Sequence, residues 1–229
     1  MITVAHPHVE TPLLLSPDRP CVLTVENARE YVTFVRDVIA AMEGGTSDCS
    51  FWDGDVRIDA SKRGEILRDY FSPSFDDRKV LTLLYKKMRQ NLLSCEDEVR
   101  FAGVVASVEE LLQKCIIDSD LPLDSTPLEW DALLKACGVR PRSDYESALE
   151  GIVAYIDLFV RLRSVDFFVL VGVKAVLSDE DLAALYHHCE LEKVSLLLLE
   201  PRRGGAVASE RRLVITEDLC EIVEKQAEI

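Results

Sequence analysis

Three stretches decide the fold: Phe167-Phe168-Val169-Leu170-Val171, Ser178-Asp179-Glu180-Asp181, and Val194-Ser195-Leu196-Leu197-Leu198-Leu199. The first and third are unbroken apolar runs, the pattern of strands covered on both faces in a parallel sheet. The second is a capping box that opens a helix running to about His188. Strand, helix, strand makes a βαβ unit. A further strand is expected from Arg211 to Thr216, after the turn at Gly204-Gly205.

The N-terminal part repeats this grammar. Cys21-Val22-Leu23-Thr24-Val25 is a short, β-branched strand pattern. It runs into Asn27, a good N-cap, and a helix from Ala28 to Met42 with Tyr31, Val35, Val38 and Met42 at helical spacing. Gly44-Gly45 ends that helix.

The middle of the chain, about 61–160, reads as helical. Leu81, Leu84, Met88, Leu92 and Cys95 share one helix face, and Val105, Val108, Leu111, Leu112 and Cys115 share another. A third helix is expected from Tyr145 to Arg163, after Pro141. The expected fold class is therefore α/β: a head of residues 1–60 and 161–229 with a mainly parallel sheet, and an all-α leg inserted at 61–160. The last residues, Lys225 to Ile229, are expected to fray.

Composition narrows the function classes. No apolar run approaches the roughly 20 residues that span a bilayer, and MITVAHPHVE lacks a secretory pattern, so a cytoplasmic protein is expected. The seven cysteines are widely spaced with no C-x-x-C pair, which predicts reduced, mostly buried thiols and no zinc site. A net charge of −15 is unfavourable for nucleic acid unless the bases collect on one surface.

An α/β head invites a nucleotide reading, yet the phosphate loop is missing. The strand ending at Val25 enters Glu26-Asn27-Ala28 without a glycine. No G-x-x-x-x-G-K-[ST] and no G-x-G-x-x-G occurs, so no standard loop can cradle phosphates. No nucleophile elbow is present either. The pairs His6/His8 and His187/His188 read as surface or cap residues, with a shared metal site as the less economical alternative.

Two charged segments stand out. Between Ile116 and Leu134 there are five carboxylates, Asp118, Asp120, Asp124, Glu129 and Asp131, and no lysine or arginine. Hard oxygen donors on an irregular loop suit calcium, although no EF-hand spacing exists; on the residues alone a solvated acidic turn is the simpler reading. The other segment is basic: Arg78, Lys79, Lys86, Lys87 and Arg89 occur without an acid between them. Lys62-Arg63, Arg140 and Arg142 add smaller groups. Such a stripe is either a solvated helix face or a phosphate-binding surface.

Four stretches carry a resemblance: CVLTVENAREYVTFVRDVI, LLKACGVR at Leu133–Arg140, FFVLVGVKAVLSDEDLAALYHHCELEKVSLLLLEP, and RRLVITEDLCEI. In this order they resemble the Csn-two family, the adaptation proteins of type II-A CRISPR–Cas systems. The resemblance implies a degenerate P-loop ATPase-like core without its phosphate loop, an α-helical leg, and a homotetrameric ring stabilised by calcium. It implies binding of double-stranded DNA ends through a basic central hole, without catalysis, alongside the CRISPR integrase proteins and the effector nuclease. By position it places calcium on Asp118, Asp120, Asp124 and Glu129. It makes Lys62, Arg63, Lys86, Lys87, Arg89, Arg140 and Arg142 the DNA-binding candidates. In a ring, the bases of four copies converge while acids face outward. A protein-interaction scaffold with minor DNA contact is the alternative, and a divergent nucleotide hydrolase is a third.

Overall fold

Alternating burial along the first residues starts the architecture. In a computed structural model describing residues 1–71, 78–93 and 97–224 (side chains of Lys79, Leu92, Leu93 and Asp97 excepted), Ile2, Val4 and His6 are buried and their neighbours are not. That period of two makes β1, Ile2–His6, which pairs antiparallel with β2, Val9–Leu15, and with β4, Ser50–Asp53. With β5, Val56–Ile58, they form a four-stranded antiparallel sheet of order β2-β1-β4-β5. None of these four strands is among the sequence expectations: β1 alternates, whereas β4 and β5 are only four and three residues long.

The main sheet is built as expected from the apolar runs. β3, Cys21–Val25, is buried throughout and lies parallel between β8, Ser195–Glu200, and β9, Arg211–Ile215. β7, Phe167–Val171, pairs parallel with β8 and with β6, Gly64–Leu67. The antiparallel β10, Glu221–Glu224, completes the order β10-β9-β3-β8-β7-β6. The head is thus α/β with a mainly parallel sheet.

Local signals set the helices of the head. Asn27 caps α1, Ala28–Met42, and Gly44 beyond its end takes φ 76°. Asp59 caps the short α2, Ala60–Arg63. Ser178 and Asp181 form the reciprocal capping box of α7, Asp179–Leu191, with Ser178 Oγ accepting from Asp181 N at 3.1 Å. Lys174 stands in a 3₁₀ turn, Val173–Ala175, between β7 and α7.

The two compact units are Met1–Pro73 with Ser143–Ile229, and Ser74–Arg142. The boundaries therefore differ from 60 and 161. Gly64–Leu67 is a sheet strand, its Gly64 lying under the Phe167 ring, where a Cβ would collide with that ring and come within 2.8 Å of Met42 Cε. Ala148–Arg163, α6, belongs to the head as well, burying Ile152, Tyr155, Ile156 and Phe159. The helical character of residues 61–160 suggested otherwise, because four residues are too few for strand periodicity to register.

The second unit contains α3, Arg78–Leu93, α4, Asp97–Asp118, and α5, Trp130–Ala136. α3 packs on α4 and α5 around buried Val80, Tyr85 and Leu134. Tyr85 donates its hydroxyl to Val139 O at 2.9 Å, and the Phe101 and Trp130 rings meet edge-on at 4.4 Å. α4 is a helix as expected, yet Leu111, Leu112 and Cys115 are exposed, as are Val104 and Ile117. Val105 and Val108 of the face read from periodicity are half-buried, and the rest of it stays open among the described residues. The expectations for Cys95 and for Lys225 to Ile229 fall outside the described residues.

Candidate functional site

At the β3–α1 junction a phosphate loop would present free helix N–H groups to an anion. Here those groups are taken. Asn27 Oδ1 accepts from Arg29 N at 3.1 Å and Glu30 N at 3.2 Å, and Asn27 Nδ2 donates to Glu217 O at 3.1 Å. The neighbouring Glu26 carboxylate pairs with Arg203 Nε at 2.9 Å. The Asn27 amide oxygen therefore takes N–H groups that would hold phosphate, and the adjacent Glu26 adds a carboxylate matched by Arg203. The hollow beside it, about 600 Å³, is lined by Glu26, Tyr31, Val32, Arg202 and Glu217, with carboxylates on two sides. Burial pushes the Tyr31 phenol up to about 12, so it stays neutral.

Behind this corner lies a buried ionic network that the sequence reading missed. Glu200, at the end of β8, and Glu210 are each only 3% exposed. Lys174 Nζ lies 2.7 Å from Glu210 Oε1 and donates to Gly205 O at 2.9 Å. Tyr186 donates its hydroxyl to Glu210 Oε1 at 2.6 Å. Glu200 Oε1 accepts the Lys174 backbone N–H at 3.1 Å. Desolvation pushes Glu200 up to about 7, against the pull of Lys174 and with a push from Glu210. A carboxylate directly after the apolar run Leu196–Leu199 was the available signal. The network ties the 3₁₀ turn, α7 and the segment before β9 together, reaching from the carboxyl end of β8 to the start of β9.

The basic candidates separate into two groups. In the head, Arg63 is committed: its Nε donates to Asp166 Oδ2 at 2.5 Å and its Nη1 to Asp53 Oδ2 at 2.8 Å. Those two carboxylates hold the guanidinium above its ordinary value. Arg63 is a clamp between strands, and its charge is already matched. Lys62 is exposed and pairs with Asp59 at 3.2 Å. In the leg, Lys86, Lys87 and Arg89 are exposed on α3, and none has an ion-pair partner among the described residues. Arg140 and Arg142, also exposed, belong to the same unit, after α5.

The acidic candidates all lie in the leg, and all four are exposed. Asp118 ends α4, and Asp120 takes φ 54° just beyond it. Asp124 Oδ1 accepts from the Ser125 N–H at 2.8 Å, and Glu129 stands at the N-cap of α5 without a side-chain cap bond. The segment is tied down instead by Glu109, whose Oε1 accepts from Leu128 N at 2.7 Å. Among the described residues no three His, Cys, Asp or Glu side chains converge on a possible metal position. Calcium needs 6–8 oxygens around one point. In this conformation the four carboxylates do not fit a calcium cage.

Histidines and cysteines sit differently from the simplest expectation. His6 is not at the surface: it is 6% exposed, with Nε2 3.0 Å from Asp37 Oδ2. His8, exposed, reaches Glu30 Oε2 at 2.7 Å, and His188 joins α7 to Asp157 on α6 at 2.8 Å. Cys21, Cys49 and Cys189 are buried, whereas Cys115, Cys137 and Cys220 are exposed and free. Among the described residues, no helix is long and apolar enough to cross a membrane.

A solved structure, described as Stu0660 of Streptococcus thermophilus, aligns with 94% of this chain and 74% of its own at TM-score 0.58 and 14% identity, a likeness of fold. A nucleotide-free ATP-binding cassette from an ABC transporter aligns with 98% of this chain and 92% of its own at TM-score 0.48 and 11% identity. A protein of Streptococcus agalactiae named CRISPR-associated protein Csn2 is 22% identical over 205 residues, 89% of this chain and 90% of that one. The profile of the family described as CRISPR-associated protein (Cas_Csn2) matches residues 51–219, from β4 to the turn before β10. The chain belongs to the Csn2 family of CRISPR-associated proteins.

Proposed function

We propose that this protein is a non-catalytic, ring-forming binder of double-stranded DNA ends that acts in CRISPR spacer acquisition, part of antiviral defence in the cytoplasm. The observation that carries the DNA contact is the surface of α3. Lys86, Lys87 and Arg89 are exposed there without ion-pair partners among the described residues, on a helix whose five bases are accompanied by no acid. Unmatched bases of this kind meet phosphate at little desolvation cost and release counterions, so binding is sequence-independent and salt-sensitive. The closed phosphate corner at Glu26 and Asn27 fits a core that no longer processes nucleotide.

Assembly is supported by α4, where Val104, Leu111, Leu112 and Ile117 are each about half exposed or more. A homotetramer would cover such a face and bring four copies of the α3 bases around one duplex. The integrase proteins and the effector nuclease of the same system are the proposed protein partners. Calcium enters only as a ligand that would have to draw Asp118, Asp120, Asp124 and Glu129 together.

Light scattering with and without calcium, followed by mixing with linear and closed-circular duplex, tests the proposal. A tetramer that retains linear DNA better than circles supports it. A monomer or dimer without duplex binding sinks it and favours the scaffold reading, for which the net charge of −15 is the supporting observation. A tetramer that forms equally without calcium removes the metal from the account.

A further inference from the structure

A second cavity of the head lies on the other side of α1 from the closed phosphate corner's chemistry and is of a different kind. It measures about 620 Å³ and opens at the last residues of β3 and β9, Val25 and Ile215. Open α/β sheets hold their ligands at the carboxyl ends of adjacent strands, and the volume falls in the range of small-molecule pockets. Val25, Phe34 and Ile215 give it an apolar floor drawn from the buried core. Leu219 adds an apolar lip that is 54% exposed. Its backbone sits at φ 63°, held by its own N–H to Thr216 O and by Thr216 N to Cys220 O, each at 3.0 Å. The fold thus spends a left-handed leucine, disfavoured for a side chain with a Cβ, on an apolar group presented to solvent at a cavity mouth.

Apart from His6 and His8, the polar part of the wall is acidic. Glu10, Glu30 and Glu221 line the cavity, and among the described residues lining it there is no lysine or arginine. Glu221 is fixed in place by accepting from the backbone N–H groups of Glu10 and of Thr11, the latter at 3.0 Å. Glu30 Oε2 is oriented by His8 Nδ1 at 2.7 Å. The turn that carries His8 is itself anchored: His8 N donates to His6 Nδ1 at 3.2 Å, while the opposite nitrogen of the buried His6 ring faces Asp37 at 3.0 Å. With Nδ1 accepting, the His6 proton lies on Nε2 and points at Asp37. Glu221 and Glu30 are thus oriented carboxylates beside an apolar floor, with Glu10 adjoining them.

From this geometry we infer that the head carries a binding pocket for an organic cation with an apolar body, the class to which aromatic amidines and amines belong. The flat apolar part would lie on Phe34, Val25, Ile215 and Leu219, and the cation would donate charge-assisted hydrogen bonds to the carboxylate rim. Both parts are needed. A bare cation gains too little over its hydration at a solvent-facing rim, and a neutral ring leaves the carboxylates unused. Anions, including phosphates, are turned away by the same rim, so this pocket is separate from any DNA contact.

Cys220 makes the inference measurable, because this exposed thiol lines the pocket while the exposed Cys115 and Cys137 do not. The intact protein would be alkylated with iodoacetamide near about pH 8, where a useful fraction of free thiol is ionised, and each cysteine followed by peptide mass spectrometry. Three probes are compared: benzamidine, neutral benzamide of the same shape, and guanidinium chloride as a cation without the ring. Benzamidine is expected to slow Cys220 several-fold and saturably, with Cys115 and Cys137 unchanged and with little effect of the other two probes. The Glu10→Gln/Glu30→Gln double variant is expected to lose most of that protection. No slowing, equal slowing by benzamide, or slowing of all three cysteines alike would overturn the pocket. None of these outcomes depends on whether the protein binds DNA.

Discussion

Arg203 Nε stands 2.9 Å from the Glu26 carboxylate, beside the N-terminus of α1 and next to the Asn27 that caps it. The Asn27 amide takes N–H groups with which a helix N-terminus would otherwise receive phosphate, next to the internal Glu26–Arg203 ion pair.

Nucleotide is therefore not expected to stabilise the protein. A ligand at one hundred times its dissociation constant raises stability by about 2.7 kcal/mol, which a thermal melt resolves easily. The melting temperature should stay unchanged on adding magnesium ATP. An upward shift that grows with nucleotide concentration would mean the corner opens. Asn27→Ala, by contrast, should cost about 1 kcal/mol through the lost cap, read from urea unfolding.

Charge reversal on α3 separates the DNA surface from a merely solvated face. The Lys86→Glu/Lys87→Glu variant should weaken duplex binding and flatten the salt dependence, by about 0.9 in the logarithmic slope for each phosphate contact removed. Fluorescence anisotropy across a salt series measures both. Arg63→Ala should instead lower stability with little change in that slope, because Asp53 and Asp166 already hold its charge. Unchanged affinity and slope in the α3 variant would take Lys86 and Lys87 out of the interface.

Glu200 predicts a pH dependence of stability with a definite sign. Its carboxyl is raised from 4.5 to about 7 in the folded head, mainly by burial. Between those values the folded chain keeps a proton that the unfolded chain releases, so stability falls as pH rises from about 4.5 to about 7 and levels off above. The full swing is of order 3 kcal/mol. Urea unfolding at a series of pH values should show the decline in the wild type and a shallower one in Glu200→Gln. A decline of equal depth in both would assign it to other groups.

Gly64 carries a packing constraint. Because a Cβ there would run into the Phe167 ring, itself stacked on Phe51 at 5.1 Å, Gly64→Ala should cost about 1–3 kcal/mol or more by overpacking. A lowered urea midpoint with an unchanged slope is the expected result. A neutral substitution would show that Phe167 can move aside.

Periodicity and capping, both local properties, made much of the head legible in advance. The run Phe167–Val171, the capping box at Ser178 and the Asn27 cap needed no distant partner to be recognised, and the likeness along the chain supplied the family. The absence of a glycine between Val25 and Ala28 likewise excluded a phosphate loop. Other features depend on partners far away in sequence, and only the tertiary structure decided them. Gly64–Leu67 became a strand because β7 offered an open edge, and Ala148–Arg163 joined the head because its apolar stripe found a buried place there. Arg63 looked like one more surface base until Asp166, 103 positions along, closed on it. The cavity at Val25 and Ile215 draws on residues from 6 to 221, so no window of the sequence contains it. Local backbone preference is written residue by residue, whereas the worth of a charge or a cavity wall is set by what the fold brings within a few ångströms of it.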